Sequence, residues 1–270
     1  MGPIVTAATY AALPKDVIIL HVESGPRPQA EDAFAAGHLP GARLVDRDTL
    51  TSAPMGPGDG RHPLPTPDAF AAALAEAGVG PDATVLAYDR CAGVDAARLV
   101  YLLRVLGQRA ALLDGGLQGY TDTLETGPSP AVEPVERAPI PWPDDLVEAA
   151  VVAAHIAEAG VVLDARSGER YRGEDEPLDP VAGHIPGAVN APFAQNLDAE
   201  GHFRAPPKLH ARFSDLGVDQ DTIVYCGSGV TAAHELLAIE HAGLGLPRLY
   251  VGSWSQWCRS DRPIATGEQP

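Results

Sequence analysis

"AAGHLPGARLV", residues 35–45, returns as "VAGHIPGAVNA", residues 181–191, with the core Gly-His-aliphatic-Pro-Gly-Ala intact. If the recurrence marks a duplication, the elements around each copy must recur as well. They do. Upstream lie the apolar, β-branched runs "VIILHVESG" (17–25) and "VVLDARSG" (161–168), and downstream lie "TVLAYD" (84–89) and "TIVYC" (222–226), each leading into a helical pattern. The register holds too: Asp89 to Gly115 in "LLDGGLQGY" is 26 positions, and Cys226 to Gly252 in "YVGSWSQW" is also 26. Independent features at equal spacing are what a duplicated domain leaves behind.

Within each half, short strands alternate with helical stretches such as "PDAFAAALAEAG" (67–78), "VDAARLVYLLRVLG" (94–107) and "AAHELLAIEHAG" (232–243). That alternation predicts an α/β fold of two tandem domains, each a mostly parallel sheet flanked by helices. The stretch "ETGPSPAVEPVERAPIPWP" (125–143) is proline-rich and aperiodic, so it reads as a surface linker between a first domain at 1–124 and a second at 144–270.

The 270-residue chain carries a net charge of −17, which argues against nucleic acid or an anionic membrane surface as partner. An anionic substrate would need a locally positive pocket. Three widely spaced cysteines, Cys91, Cys226 and Cys258, form no CxxC pair and no zinc-type cluster, which fits a reducing compartment. The opening "MGPIVTAATYAALPKD" has neither the basic start nor the long apolar core of a signal peptide, so the expected location is the cytoplasm.

Chemistry is expected in the second half. Aligning the repeats sets Asp89 against Cys226 and Glu23 against Arg166, so the first half has no cysteine at the strand end. Ligands of an open α/β sheet bind beyond the carboxyl ends of its strands, where Cys226 lies. After it comes "GSGVT" (227–231): Gly227 and Gly229 let the backbone curl, so that successive N–H groups through Val230 and Thr231 form an anion nest at a helix N-terminus. Such a nest favours a thiolate, the nucleophilic form of cysteine. Cys91 and Cys258 lack this setting and read as inert.

The order "GHLPGA", "LDAR", "ERYRG", "GHIPGA", "CGSGVTA", "VGSWSQW" resembles the rhodanese superfamily of sulfurtransferases in its tandem-domain form, with an inactive first domain. The loop "CGSGVT" is similar to that of 3-mercaptopyruvate sulfurtransferases, whereas "RYRGEDEPLDPVAGHIPGA" looks like bacterial enzymes called thiosulfate sulfurtransferases. The resemblance implies that Cys226 takes a sulfane sulfur from a small anionic donor, holds it as a persulfide, and passes it to a thiol such as thioredoxin or a small thiol, or to cyanide. No metal or organic cofactor is implied, because the cysteine carries the group itself.

Carried over residue by residue, the resemblance makes Arg170 the arginine that binds the donor's anionic end. A second arginine is expected a few residues on, but "EDEPLDP" (174–180) has none, which leaves the role vacant or passes it to Arg172. It also implies a proton relay from Ser228 through His62 to Asp48, with Asp46 as the alternative carboxylate. That relay requires residues from both halves of the sequence to meet. His38 and His184 read as structural, Asp164 and Arg166 as a buried pair bracing the loop, and Trp254 and Trp257 as core residues, with Trp254 alternatively at the pocket mouth.

A cysteine phosphatase would need an arginine six positions after the cysteine, where this chain has Ala232. A persulfide carrier fed by a partner protein would share Cys226 but need no donor pocket. The internal pseudo-symmetry makes a monomer the expected state.

Overall fold

The computed structural model describes residues 1–270 and divides into two compact units. Unit 1 comprises Met1–Ala53, Leu64–Pro143 and Ala199–His202, and unit 2 comprises Pro54–Pro63, Asp144–Asp198 and Phe203–Pro270.

Unit 1 runs β1 (Ile4–Val5), α1 (Ala7–Tyr10), β2 (Ile18–Glu23), α2 (Arg27–Ala36), β3 (Arg43–Asp46), α3 (Arg47–Thr51), α4 (Pro67–Glu76), β4 (Val85–Tyr88), α5 (Ala96–Val105) and β5 (Ala110–Leu113). Unit 2 runs β6 (Leu146–Val147), α6 (Ala149–Ala157), β7 (Val162–Asp164), α7 (Gly168–Arg172), β8 (Val189–Asn190), a 3-10 turn (Phe193–Asn196), α8 (Pro206–Asp215), β9 (Ile223–Tyr225), α9 (Thr231–His241), β10 (Arg248–Tyr250) and α10 (Ser253–Trp257). The strand orders are β1-β5-β4-β2-β3 and β6-β10-β9-β7-β8, and every strand pair is parallel. One topology is built twice.

Parallel strands covered on both faces must be apolar throughout, and the central ones are: Val85–Tyr88 and Ile223–Tyr225 are fully buried. Helix α9 covers its sheet with Ala232, Ala233, Leu236, Leu237 and Ile239, all inaccessible to solvent. At roughly 1.5–3 kcal/mol for each large apolar side chain removed from water, this packing fixes where β9 ends and α9 begins. The loop between them inherits that rigidity.

The repeated Gly-His-x-Pro-Gly motif has a structural use. The imidazoles of His38 and His184 stack on Phe34 and Tyr171 at 3.8 and 3.7 Å between ring centroids, and each Nδ1 hydrogen-bonds the carbonyl of the residue beneath, both at 2.8 Å. The following backbone N–H groups, of Leu39 and Ile185, donate to the hydroxyls of Tyr88 and Tyr225. Both histidines are therefore structural, as expected.

Residues 126–143 contain no helix or strand, yet they are fastened to unit 1: Arg137 reaches Gln108 at 2.7 Å, Ser129 Oγ takes the N–H of Leu44, and Trp142 Nε1 donates to Pro65. No helix is long and apolar enough to cross a membrane.

Candidate active site

In unit 2 the strand order reverses between β7 and β9, and the region beyond the carboxyl ends of such a pair is where open α/β sheets bind ligands. Cys226 leaves β9 there, 2 % exposed, with its carbonyl accepting from Trp254 N–H at 2.9 Å and its own N–H donating to Ser253 Oγ at 3.3 Å. Gly229 adopts φ +79°, a left-handed conformation that suits glycine, and so turns its N–H back onto Cys226 Sγ at 3.1 Å. Val230 continues the turn, 7 % exposed, and Thr231 begins α9. A backbone N–H aimed at the sulfur stabilises negative charge there.

The turn that follows β4 in unit 1 is longer and holds a carboxylate. Asp89 puts its carboxylate where the alignment sets Cys226, and that carboxylate accepts four backbone N–H bonds, from Cys91 and Gly93 on Oδ1 and from Asp95 and Ala96 on Oδ2, at 2.8–2.9 Å. The nest is filled by the protein's own anion. Beside it Arg90, aligned with Gly227, pairs with Glu23, aligned with Arg166. Burial would raise the Glu23 carboxyl, but hydrogen bonds from His21 and Arg90 outweigh it and hold the group at about 2.

The cysteines separate on the same grounds. Burial pushes the Cys91 thiol up, reinforced by the charges of Asp89 and Asp95, and burial also raises Cys258, next to Asp179. Both favour the neutral thiol.

Around Cys226 the structure brings together three of the expected residues. Ser228, 6 % exposed, shares a hydrogen bond with His62, Oγ to Nδ1, at 2.9 Å. The histidine reaches it because residues 54–63 belong to unit 2, although the repeat pattern assigns them to the first half. That segment is docked through main-chain contacts: Arg61 N–H donates to Ser255 Oγ at 3.0 Å, and Gln256 Nε2 donates to the Gly58 carbonyl at 3.1 Å. Gly60 lies against the backbone of Gly252 so closely that an added Cβ would stand 2.3 Å from its carbonyl oxygen. Gly60→Ala is thus expected to lift the segment and displace Arg61 and His62. A shift of this order costs up to about 100-fold in catalysis, and we expect kcat/KM to fall at least about tenfold with the far-ultraviolet circular dichroism unchanged. Wild-type kinetics in this variant would show that the docking is dispensable.

Arg170, midway along α7, has its guanidinium forked onto Glu176, at 2.7–3.2 Å, and 3.6 Å from Asp179. Arg172, the other arginine considered for the donor, is elsewhere: it pairs with Glu174 through Nε and Nη2, both at 2.8 Å, and reaches Glu169 at 3.9 Å. Of the two readings, a vacant second role or one passed to Arg172, this geometry favours the first, because α7 turns the Arg172 side chain to those acidic neighbours. The guanidinium that accompanies Arg170 is Arg61, which the sequence reading passed over. A Cβ on Gly227 would meet Arg61 Nη2 at 2.8 Å and both Arg170 Nη atoms at 3.3 Å.

Carboxylates hold these arginines in place. Asp179, whose side chain is fully buried, pairs with Arg61 and with Arg259 Nη1 at 3.3 Å, and Glu176 pairs with Arg170 and with Arg166 Nη1 at 3.3 Å. Glu176 is held below the usual carboxylate range: burial opposes this, and the Arg170 hydrogen bonds override it. Arg166 grips Asp164 through Nε and Nη2, donates to the Gly183 carbonyl at 2.7 Å, and lies 4.8 Å over the Trp254 ring. The bracing pair is as expected. Trp254 is fully buried, with Nε1 donating to the Val181 carbonyl, and Trp257 is 2 % exposed. Both are core residues.

Asp48 and Asp46 sit in unit 1. Asp46 caps α3 by accepting the Thr49 N–H at 2.6 Å, and Asp48 pairs with Arg47 Nε at 2.8 Å.

The rhodanese-like domain family matches twice, over residues 13–123 and 148–260, which is most of the chain. The chain belongs to the rhodanese family. It is a tandem-domain sulfurtransferase of that family, and its relatives agree in kind. It is 46% identical over 246 residues to a probable 3-mercaptopyruvate sulfurtransferase of Pseudomonas aeruginosa, covering 87% of this chain and 86% of that one. It is 38% identical to a putative thiosulfate sulfurtransferase of Mycobacterium tuberculosis, over 89% and 87% of the two chains. The crystal structure of the 3-mercaptopyruvate sulfurtransferase of Escherichia coli superposes with a TM-score of 0.77 at 32% identity, over 94% of this chain and all of that one.

Proposed function

We propose that this rhodanese transfers sulfur from 3-mercaptopyruvate, through a persulfide on Cys226, to a thiol acceptor. The observation that carries this reading is the 2.9 Å hydrogen bond between Ser228 and His62, two residues along the loop from the cysteine. In the first step the Cys226 thiolate attacks the donor's sulfur. The S–S bond forms, the C–S bond breaks, and its electron pair is left on the pyruvate enolate. Pyruvate forms only when that carbon receives a proton. A hydroxyl backed by an imidazole supplies one near neutral pH and recovers it from the persulfide's own S–H. Sulfite, the leaving group from thiosulfate, needs no such proton.

Local charge favours the same donor. Arg61, Arg166, Arg170 and Arg259 face Asp164, Glu176 and Asp179, which leaves about one positive charge beside the thiolate. A monoanion suits that balance better than a dianion such as thiosulfate.

In the second step a thiolate, from reduced thioredoxin or a small thiol, attacks the outer sulfur and releases Cys226 as thiolate; cyanide serves in an assay. Asp48 enters as the carboxylate of the relay on the strength of the family resemblance alone. The division of labour follows from the two nests. Residues 144–270 form the catalytic domain, with His62 and its segment added, and residues 1–124 are inactive because Asp89 fills the place a reactive sulfur would take. The protein acts as a monomer in the cytoplasm, and light scattering at a dimer mass would overturn the first of these.

The test is intact mass after brief exposure to equimolar donor. One added sulfur, gained faster from 3-mercaptopyruvate than from thiosulfate, supports the reading. Faster loading from thiosulfate overturns the donor, and loading from neither points to a carrier fed by a partner protein.

A further inference from the structure

We propose that Gln256 is a positioning residue whose amide clamps the segment 54–63 and so sets His62 against Ser228. The inference rests on the reading of that pair as the proton relay.

Three observations lead to it. First, the Gln256 amide is held at both ends. Tyr250 Oη donates to Oε1 at 2.9 Å, and Nε2 donates to the Gly58 carbonyl at 3.1 Å. A carbonyl only accepts, so the amide nitrogen must face it. Burial raises the Tyr250 hydroxyl above its ordinary range and keeps it a donor, which assigns Oε1 to the tyrosine. Second, the backbone makes room for this clamp. A Cβ on Gly252 would stand 1.9 Å from Gln256 Oε1, and a Cβ on Gly60 would stand 2.3 Å from the Gly252 carbonyl oxygen. Gly252 has to be bare for the amide, and Gly60 for the segment. Between the clamped Gly58 carbonyl and His62 the chain is fixed once more, by Arg61 N–H on Ser255 Oγ, so little slack reaches the imidazole. Third, unit 1 receives an inserted segment at the aligned position by a different means. The register that sets Cys226 against Asp89 sets Gln256 against Gly119. There His202, which lies in the second half of the sequence but belongs to unit 1, stands 2.8 Å from the place a Cβ on Gly119 would take. An incoming imidazole occupies the position in one unit, and in the other a resident amide grips the incoming backbone.

The experiment compares Gln256→Glu with the unaltered protein on 3-mercaptopyruvate at about pH 8 and about pH 5. A carboxylate cannot donate and meets the Gly58 carbonyl as a second acceptor, whereas a protonated carboxyl donates its O–H and restores the bond. The ordinary pKa of such a group is about 4.3, and it rises where ionisation is opposed. The deficit is therefore full well above that pKa and shrinks as pH falls towards it. Tyr250, the titratable group that touches the amide, stays neutral throughout. At about pH 8, kcat/KM is expected to fall about tenfold with the circular dichroism unchanged, and by about pH 5 its ratio to the unaltered protein is expected to climb severalfold. Gln256→Met, of similar length with no donor, is expected to show the deficit at both. In a His62→Ala background Gln256→Glu is expected to cost no more than about twofold, because its effect passes through the imidazole. Hydrogen exchange of residues 54–63 reads the clamp without the chemistry, and is expected to quicken in Gln256→Glu at about pH 8, relative to the unaltered protein, and less so at about pH 5. A ratio that does not change with pH, a full cost in the His62→Ala background, or unchanged exchange would overturn the proposal. If His62→Ala itself turns over 3-mercaptopyruvate normally, the relay fails as the role of that pair, and the exchange still decides whether Gln256 holds the segment.

Discussion

Cys226→Ser is expected to reduce sulfur transfer to the uncatalysed background with every donor, while the protein folds normally. Serine is isosteric enough to keep the loop, since the N–H of Gly229 can donate to Oγ as it does to Sγ. What disappears is the atom that carries the sulfur, so no second residue can compensate. The two other cysteines serve as controls. Cys91 and Cys258 have thiols pushed toward the neutral form by burial, and neither stands at the end of a central strand beside a free nest. Cys91→Ser and Cys258→Ser are expected to stay within a few-fold of the unaltered rate. The measurement is thiocyanate or pyruvate release together with intact mass. Persisting turnover in Cys226→Ser, or its loss in Cys91→Ser, would place the chemistry elsewhere.

His62→Ala is expected to separate the two donors. Turnover of 3-mercaptopyruvate should fall about 100-fold or more, the usual contribution of a positioned general acid, while turnover of thiosulfate should change only a few-fold. The reason lies in the leaving groups: a carbanion equivalent must be protonated as the C–S bond breaks, whereas sulfite departs as a stable anion. Steady-state kinetics on both donors with cyanide as acceptor reads this directly, and Asp48→Asn on the same assays reports whether that carboxylate supports the imidazole. Equal losses on both donors for His62→Ala would mean that the histidine only shapes the loop.

The two repeats differ in what their turns hold. Each has a turn from a central strand into a helix, and in each a backbone N–H donates to the side chain of the turn's first residue. In unit 1 a carboxylate from the turn's first residue takes four such donors, and the Arg90–Glu23 pair stands alongside, at positions aligned with Gly227 and Arg166.

Much of this was legible in the sequence because it depends on spacing. The duplication, the parallel α/β domains, and the place of Cys226 at the end of a central strand all follow from apolar periodicity and from glycines at fixed offsets. These are local properties that survive without knowledge of the fold. Ser228 and His62 were named through family resemblance, and the folded chain does join them by a hydrogen bond. The arginines were different. Arg170 and Arg172 are separated by one residue and look equivalent in "ERYRG", yet a single turn of α7 sends one to Glu176 and the cluster beside Gly227, and the other to Glu174 on an exposed face. Arg61 carried no signal in a Gly- and Pro-rich stretch, since its meaning comes from Asp179 and Gly227, distant in sequence. Charges pair according to where the backbone delivers them, so which arginine faces the cysteine loop was decided only when residues 54–63 packed into unit 2.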